Sequence, residues 1–108
     1  MSNYPIHVAF PGRLIFVGFG SIGQGVLPLI LRHVGIKADQ ITVVTADESG
    51  QKVAAEYGVR FIKHALTREN FRNVLDPLVG RGDFLLNLSV DVSSVALIQF
   101  CWEKGALY

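Results

Sequence analysis

An α/β fold built on a parallel sheet follows from three features of this sequence. Short apolar runs alternate with longer segments of helical periodicity, the runs are apolar or β-branched at nearly every position, and glycines punctuate the junctions. With 108 residues, half of them apolar and 18% charged, the chain has the size and hydrophobicity of one packed domain.

The first strand is residues 13–18, an apolar run closed by glycine. A buried helix follows over 21–34, stopped at Gly35 and bent by Pro28. Residues 41–45 are β-branched throughout and form the second strand. Residues 48–57 carry Val53, Ala54 and Tyr57 at helical spacing before Gly58, and 59–62 form the third strand. Thr67 caps a helix whose apolar points are Phe71, Val74, Leu75, Leu78 and Val79, closed by Gly80 and Gly82. Residues 84–90 are the fourth strand. Ser93 or Ser94 caps a fourth helix through Trp102 and Glu103, and Ala106 opens a fifth strand. Strict alternation with right-handed crossovers covers both faces of the sheet.

Ten basic and nine acidic side chains leave a net charge of +1, which provides no field to gather nucleic acid. No run of apolar residues approaches the ~18 needed to span a membrane, and no secretory signal opens the chain. The single cysteine, Cys101, excludes an intrachain disulfide and fits a reducing, cytoplasmic compartment. Residues 1–12, with two prolines, read as an amino-terminal arm, and 13–108 as the domain. Its last residues are an apolar run just starting a strand, so the domain reads as truncated.

Chemistry enters at Gly18-Phe19-Gly20-Ser21-Ile22-Gly23, a G-x-G-x-x-G match. Alone the pattern is common. Here it follows the first strand, opens the first helix and lies within a βαβ unit of about 30 residues, the context of a dinucleotide-binding, Rossmann-like doubly wound sheet with strand order 3-2-1-4-5. Gly18 serves the tight turn, Gly20 lets backbone approach a pyrophosphate, and Gly23 lets helix and strand pack closely. Ser21 and its neighbours present amide N–H groups to the phosphates, with Phe19 and Ile22 as an apolar rim. The alternative is that the glycines serve only the turn.

An acidic residue near the end of the second strand customarily binds the adenosine ribose. The strand ends at Thr45, and Asp47 is the nearest carboxylate, with Glu48 next; capping of the following helix is an equal claim on Asp47. No arginine follows to take a 2′-phosphate, which favours NAD over NADP. Asn87 and Ser89 alternate at the carboxyl end of the fourth strand and could face the cofactor, or belong to turn chemistry with Asp91 and Ser93. His7, His33 and His64 have no partners at metal-ligand spacing, so no metal site is expected. Cys101 and Trp102 read as core.

The glycine segment with Leu27-Pro28-Leu29-Ile30, Gly58-Val59-Arg60-Phe61, Asn87-Leu88-Ser89-Val90-Asp91 and Gly105-Ala106-Leu107-Tyr108 resembles the amino-terminal part of bacterial homospermidine synthases, within the wider saccharopine-dehydrogenase-like group. The resemblance implies a homodimeric, NAD-dependent transferase. NAD⁺ would oxidise putrescine, the imine would be exchanged onto a second putrescine, and re-reduction would give homospermidine with release of ammonia. That family's pattern carries an aspartate where Thr45 stands, and its catalytic half has no counterpart here, so no catalytic residue is named and the chain alone is expected to be inactive. The rival readings are a saccharopine-dehydrogenase-like oxidoreductase acting on an amino-acid imine and a non-catalytic dinucleotide sensor. An apolar sheet edge at the last strand predicts self-association of the isolated chain. Light scattering should detect species larger than a monomer at high concentration, whereas a stable monomer would contradict this.

Overall fold

The computed structural model describes residues 8–9, 12–46, 48–89 and 93–108. In chain order these form β1 (Val8–Ala9), β2 (Leu14–Val17), α1 (Ser21–His33), β3 (Val34–Gly35), a 3₁₀ turn (Ala38–Gln40), β4 (Ile41–Thr45), α2 (Gln51–Glu56), β5 (Arg60–Lys63), α3 (Phe71–Leu75), β6 (Phe84–Asn87) and α4 (Ser94–Lys104). The main sheet has the order β5-β4-β2-β6 with every pair parallel. Counted among themselves, its four strands run 3-2-1-4, as the alternation predicts. The fifth position is represented by a single parallel bridge between Phe84 and Leu107. There Leu107 N–H donates to Asp83 carbonyl at 2.7 Å and Leu85 N–H donates to Leu107 carbonyl at 2.9 Å.

β1 and β3 make a separate parallel pair, Val8 opposite Val34 and Ala9 opposite Gly35. Two residues of the segment expected to be an arm are thus tied to the end of α1.

The period of two along a strand explains the layering. All four residues of β2 are buried. Ile15 and Val17 enter the layer that holds Phe71, Leu75, Leu97 and Phe100 from α3 and α4. Leu14 and Phe16 enter the opposite layer with Leu27 of α1 and Ala54 of α2. Helices therefore cover both faces, and each large buried aliphatic or aromatic side chain contributes roughly 1.5–3 kcal/mol to the driving force for folding.

Element ends differ from the expected ones where local chemistry intervenes. The third helix shrinks to five residues. Thr67 does not cap it directly. Its hydroxyl accepts from Asn70 N–H at 3.1 Å while Asn70 Oδ1 accepts from Thr67 N–H at 2.7 Å, a reciprocal pair that makes a preceding turn and leaves Asn70 at the N-cap. At the other end Pro77 has no N–H to extend the ladder. The apolar face survives nonetheless, with Phe71, Leu75 and Val79 all buried. The second helix starts at Gln51 behind Gly50 rather than at Glu48. Ser93 occupies the N-cap of α4 without a capping bond from its hydroxyl. Gly105, at φ 74°, ends α4 in the left-handed conformation that glycine adopts without strain.

Trp102 overturns its expected place in the core. It is 83% exposed, because α4 turns Leu97, Phe100 and Cys101 inward and leaves Val95, Ile98 and Trp102 outside. Cys101 is buried as expected, and that burial pushes its thiol pKa up. No helix among the described residues is long and apolar enough to cross a membrane.

One polar node braces the amino end of the sheet. Asp83, 4% exposed, accepts from Arg13 N–H (2.7 Å), Arg13 Nε (2.9 Å) and Gly80 N–H (2.8 Å), and ion-pairs with the Arg13 guanidinium at 2.9 Å. Asp83→Ala should lower unfolding stability by about 3 kcal/mol, because two backbone amides lose their acceptor together with the charge-assisted bonds; urea denaturation measures it. Cys101 should resist alkylation at neutral pH in the native protein and react promptly once unfolded, as a thiol-reactive dye would report.

Candidate dinucleotide site

At its carboxyl end β2 runs between two neighbours that stay paired with it for one further step. Gly18 N–H donates to Val44 carbonyl and Leu88 N–H donates to Val17 carbonyl, both at 2.8 Å. The strand order reverses here, since β4 and β5 lie to one side of β2 and β6 to the other. This is the switch point at which open α/β sheets bind ligands. A cavity of about 250 Å³ opens there, bordered by Gly18 and Gly20, by Thr45 and Ala46 after β4, by His64 after β5 and by Ser89 after β6. The 13-residue α1 starts at its rim, so its free amides and the positive end of its dipole suit an anion.

The three glycines of the turn separate by physical role. Gly18 has φ +87°, and a Cβ there would lie 3.1 Å from Leu88 C and Ser89 N. A Cβ on Gly23 would lie 3.1 Å from the side chains of Leu88 and Phe19, the close packing expected of it. Gly20 is exposed and a Cβ on it would meet nothing within 4 Å. The fold therefore accounts for two of the glycines and leaves the third without a structural reason. Gly20 borders the cavity, and its open surroundings leave its backbone accessible there, as a pyrophosphate would require. The residues present fit a dinucleotide.

The other expected site residues divide. Phe19 lines the cavity, but it is 2% exposed and its ring packs against Phe16 at 5.8 Å between ring centroids. Its carbonyl accepts from Gln24 Nε2 at 3.0 Å, which ties the turn to the first helical turn. Ser21 and Ile22 open α1 with their backbone. Asp47 lies outside the described residues. Glu48 is held by Lys63 Nζ at 2.8 Å, and the hydrogen bond and charge of that ammonium lower its pKa. Ser89 borders the cavity, but Asn87 is turned to other work. Asn87 Oδ1 accepts from Ser89 N–H at 3.1 Å and its Nδ2 donates to Tyr108 Oη at 3.2 Å, so Asn87 braces the wall in which Ser89 sits.

Two contributors escaped sequence reasoning. Gly50 is buried, and a Cβ on it would collide with the Phe19 ring, so this glycine keeps the turn seated. Its only signal was a glycine beside a serine ahead of a helix. His64 reaches the cavity because Lys63 pairs with Thr45 in register and His64 N–H then donates to Thr45 carbonyl at 2.8 Å.

Residues 14–108 match the model of the saccharopine dehydrogenase NADP-binding domain. The chain belongs to that family. It is 41% identical over 111 residues to a homospermidine synthase of Blastochloris viridis, covering 100% of this chain and 23% of that protein. It is 38% identical over 109 residues to a homospermidine synthase of Mesorhizobium japonicum, covering 98% of this chain and 22% of that protein. The crystal structure of the homospermidine synthase of Legionella pneumophila in complex with NAD superimposes with a TM-score of 0.89 at 38% identity, over 95% of this chain and 22% of that one. The chain thus spans about a quarter of the length of the relatives it matches.

Gly18→Ala should cost about 1–3 kcal/mol in urea unfolding, through left-handed strain and crowding against residues 88 and 89. Gly20→Ala should stay within about 0.5 kcal/mol of the unaltered protein. Equal losses at both positions would mean that Gly20, too, serves only the fold.

Proposed function

We propose that this chain is the NAD-binding part of a homospermidine synthase. The observation that carries the reading is Gly20, the one glycine of the turn that the fold does not require, standing open over a cavity at the switch point. Similarity at about 40% identity to proteins named homospermidine synthase supports the specific activity, and the NAD complex of the Legionella pneumophila protein supports the cofactor. Among the described residues that border the cavity there is no lysine or arginine to receive a 2′-phosphate, so NAD is favoured over the NADP of the family's description.

In this proposal the turn at residues 18–23 holds the pyrophosphate, and Ser89, braced by Asn87, faces the cofactor from β6. Asp47 is retained as a candidate for the ribose. When bound, NAD⁺ supplies the acceptor for a hydride from putrescine and, after exchange of the imine onto a second putrescine, returns it, so that two putrescines give homospermidine and ammonia with no net oxidation. In this reading the open cavity of about 250 Å³ takes part of the dinucleotide, and the groups that bind the diamine belong to polypeptide beyond this domain. A cytoplasmic setting belongs to the same proposal and suits the free, buried Cys101. So does a homodimer, to which the outward face of α4, with Val95 and Trp102 exposed, offers apolar surface.

A second reading, an oxidoreductase acting on an amino-acid imine, is favoured by the family's description as a saccharopine dehydrogenase domain. The test begins with calorimetric titration of the chain with NAD⁺. Saturable binding that Gly20→Val weakens at least tenfold is expected, and no binding would contradict the cofactor assignment. The polypeptide containing this domain, given putrescine and NAD⁺, should then form homospermidine without accumulating NADH. NADH accumulating with saccharopine instead would establish the second reading.

A further inference from the structure

The end of β4 offers Thr45 where a carboxylate would customarily bind the adenosine ribose. Glu48, a nearby alternative, is occupied by Lys63. The cavity wall beside Thr45 is completed by His64. The His64 backbone is fixed by the hydrogen bond that its N–H donates to Thr45 carbonyl, and its ring Nδ1 lies 3.2 Å from Ala65 carbonyl. A carbonyl oxygen only accepts, so this contact selects the tautomer with the proton on Nδ1, which leaves Nε2 as an acceptor.

Resting on the reading of the cavity as a dinucleotide site, we propose that His64 determines cofactor specificity by reading the ribose 2′ position. A 2′-hydroxyl donates to the neutral imidazole, as it would to a carboxylate. A 2′-phosphate has no proton to give at neutral pH and meets acceptor with acceptor. Lys63, beside it on β5, is ion-paired with Glu48 before α2 at 2.8 Å; Asp47 lies outside the described residues.

The experiment is calorimetric titration of the chain with NAD⁺ and with NADP⁺ at about pH 8, in the unaltered protein, His64→Ala and His64→Gln. The ratio of NADP⁺ to NAD⁺ dissociation constants should be severalfold smaller in His64→Ala than in the unaltered protein. At about pH 8, His64→Ala should lose affinity for NAD⁺ severalfold, and His64→Gln, which keeps an acceptor, should recover part of it. Equal ratios and equal NAD⁺ affinities in all three proteins would overturn the role of His64 while leaving the cofactor assignment standing. Failure of the unaltered protein to bind either dinucleotide would overturn both.

Discussion

The carboxyl edge of the sheet depends on how closely residue 18 passes the backbone at residues 88 and 89. A side chain there would stand 3.1 Å from two main-chain atoms, in a backbone conformation that costs an L-residue strain. That approach keeps Leu88 N–H on Val17 carbonyl and Gly18 N–H on Val44 carbonyl, so β4, β2 and β6 remain in register to their last residues. The same approach ends β2 abruptly and releases the chain into α1 at the point where the strand order reverses. Sheet, turn and cavity are consequences of one local restriction.

The packing on either side keeps that edge stiff. On one face Phe19 fills the space between Phe16, Gly23 and Gly50, so the turn is seated in the core. On the other, Phe71 and Phe100 meet edge to face at 6.0 Å under the Arg72 guanidinium, anchoring α3 to α4 beneath β6. At the opposite end of the strands Asp83 binds Arg13 and Gly80. A ligand at the carboxyl edge therefore meets backbone groups already in place, which lowers the ordering cost of binding.

The fold was legible in the sequence because its signals are local and repeated. The β-branched run at residues 41–45 and the apolar run at 14–17 have no charged position, and each is followed by a helix. The glycine turn was legible for the same reason. What escaped was decided across the sheet. Phe19 reads as a rim residue beside a ligand motif, yet Gly50, thirty-one positions later, leaves the space that buries it. Asn87 reads as a cofactor ligand, but the amide of Ser89 and the hydroxyl of Tyr108 claim both ends of its side chain. Trp102 reads as core because its neighbours are apolar, and only the rotation of α4 shows that it faces outward. His64 carries no motif at all; the register of β5 with β4 brings it to the cavity.

The central claim is that the turn between β2 and α1 receives the pyrophosphate of a dinucleotide. Mapping of amide chemical shifts during titration with NAD⁺ tests it most directly. The account predicts that the largest shifts fall on residues 18–23 and on Ser89, with the helices α3 and α4 unchanged. Saturable shifts confined to α3 and α4, with residues 18–23 unmoved, would contradict it.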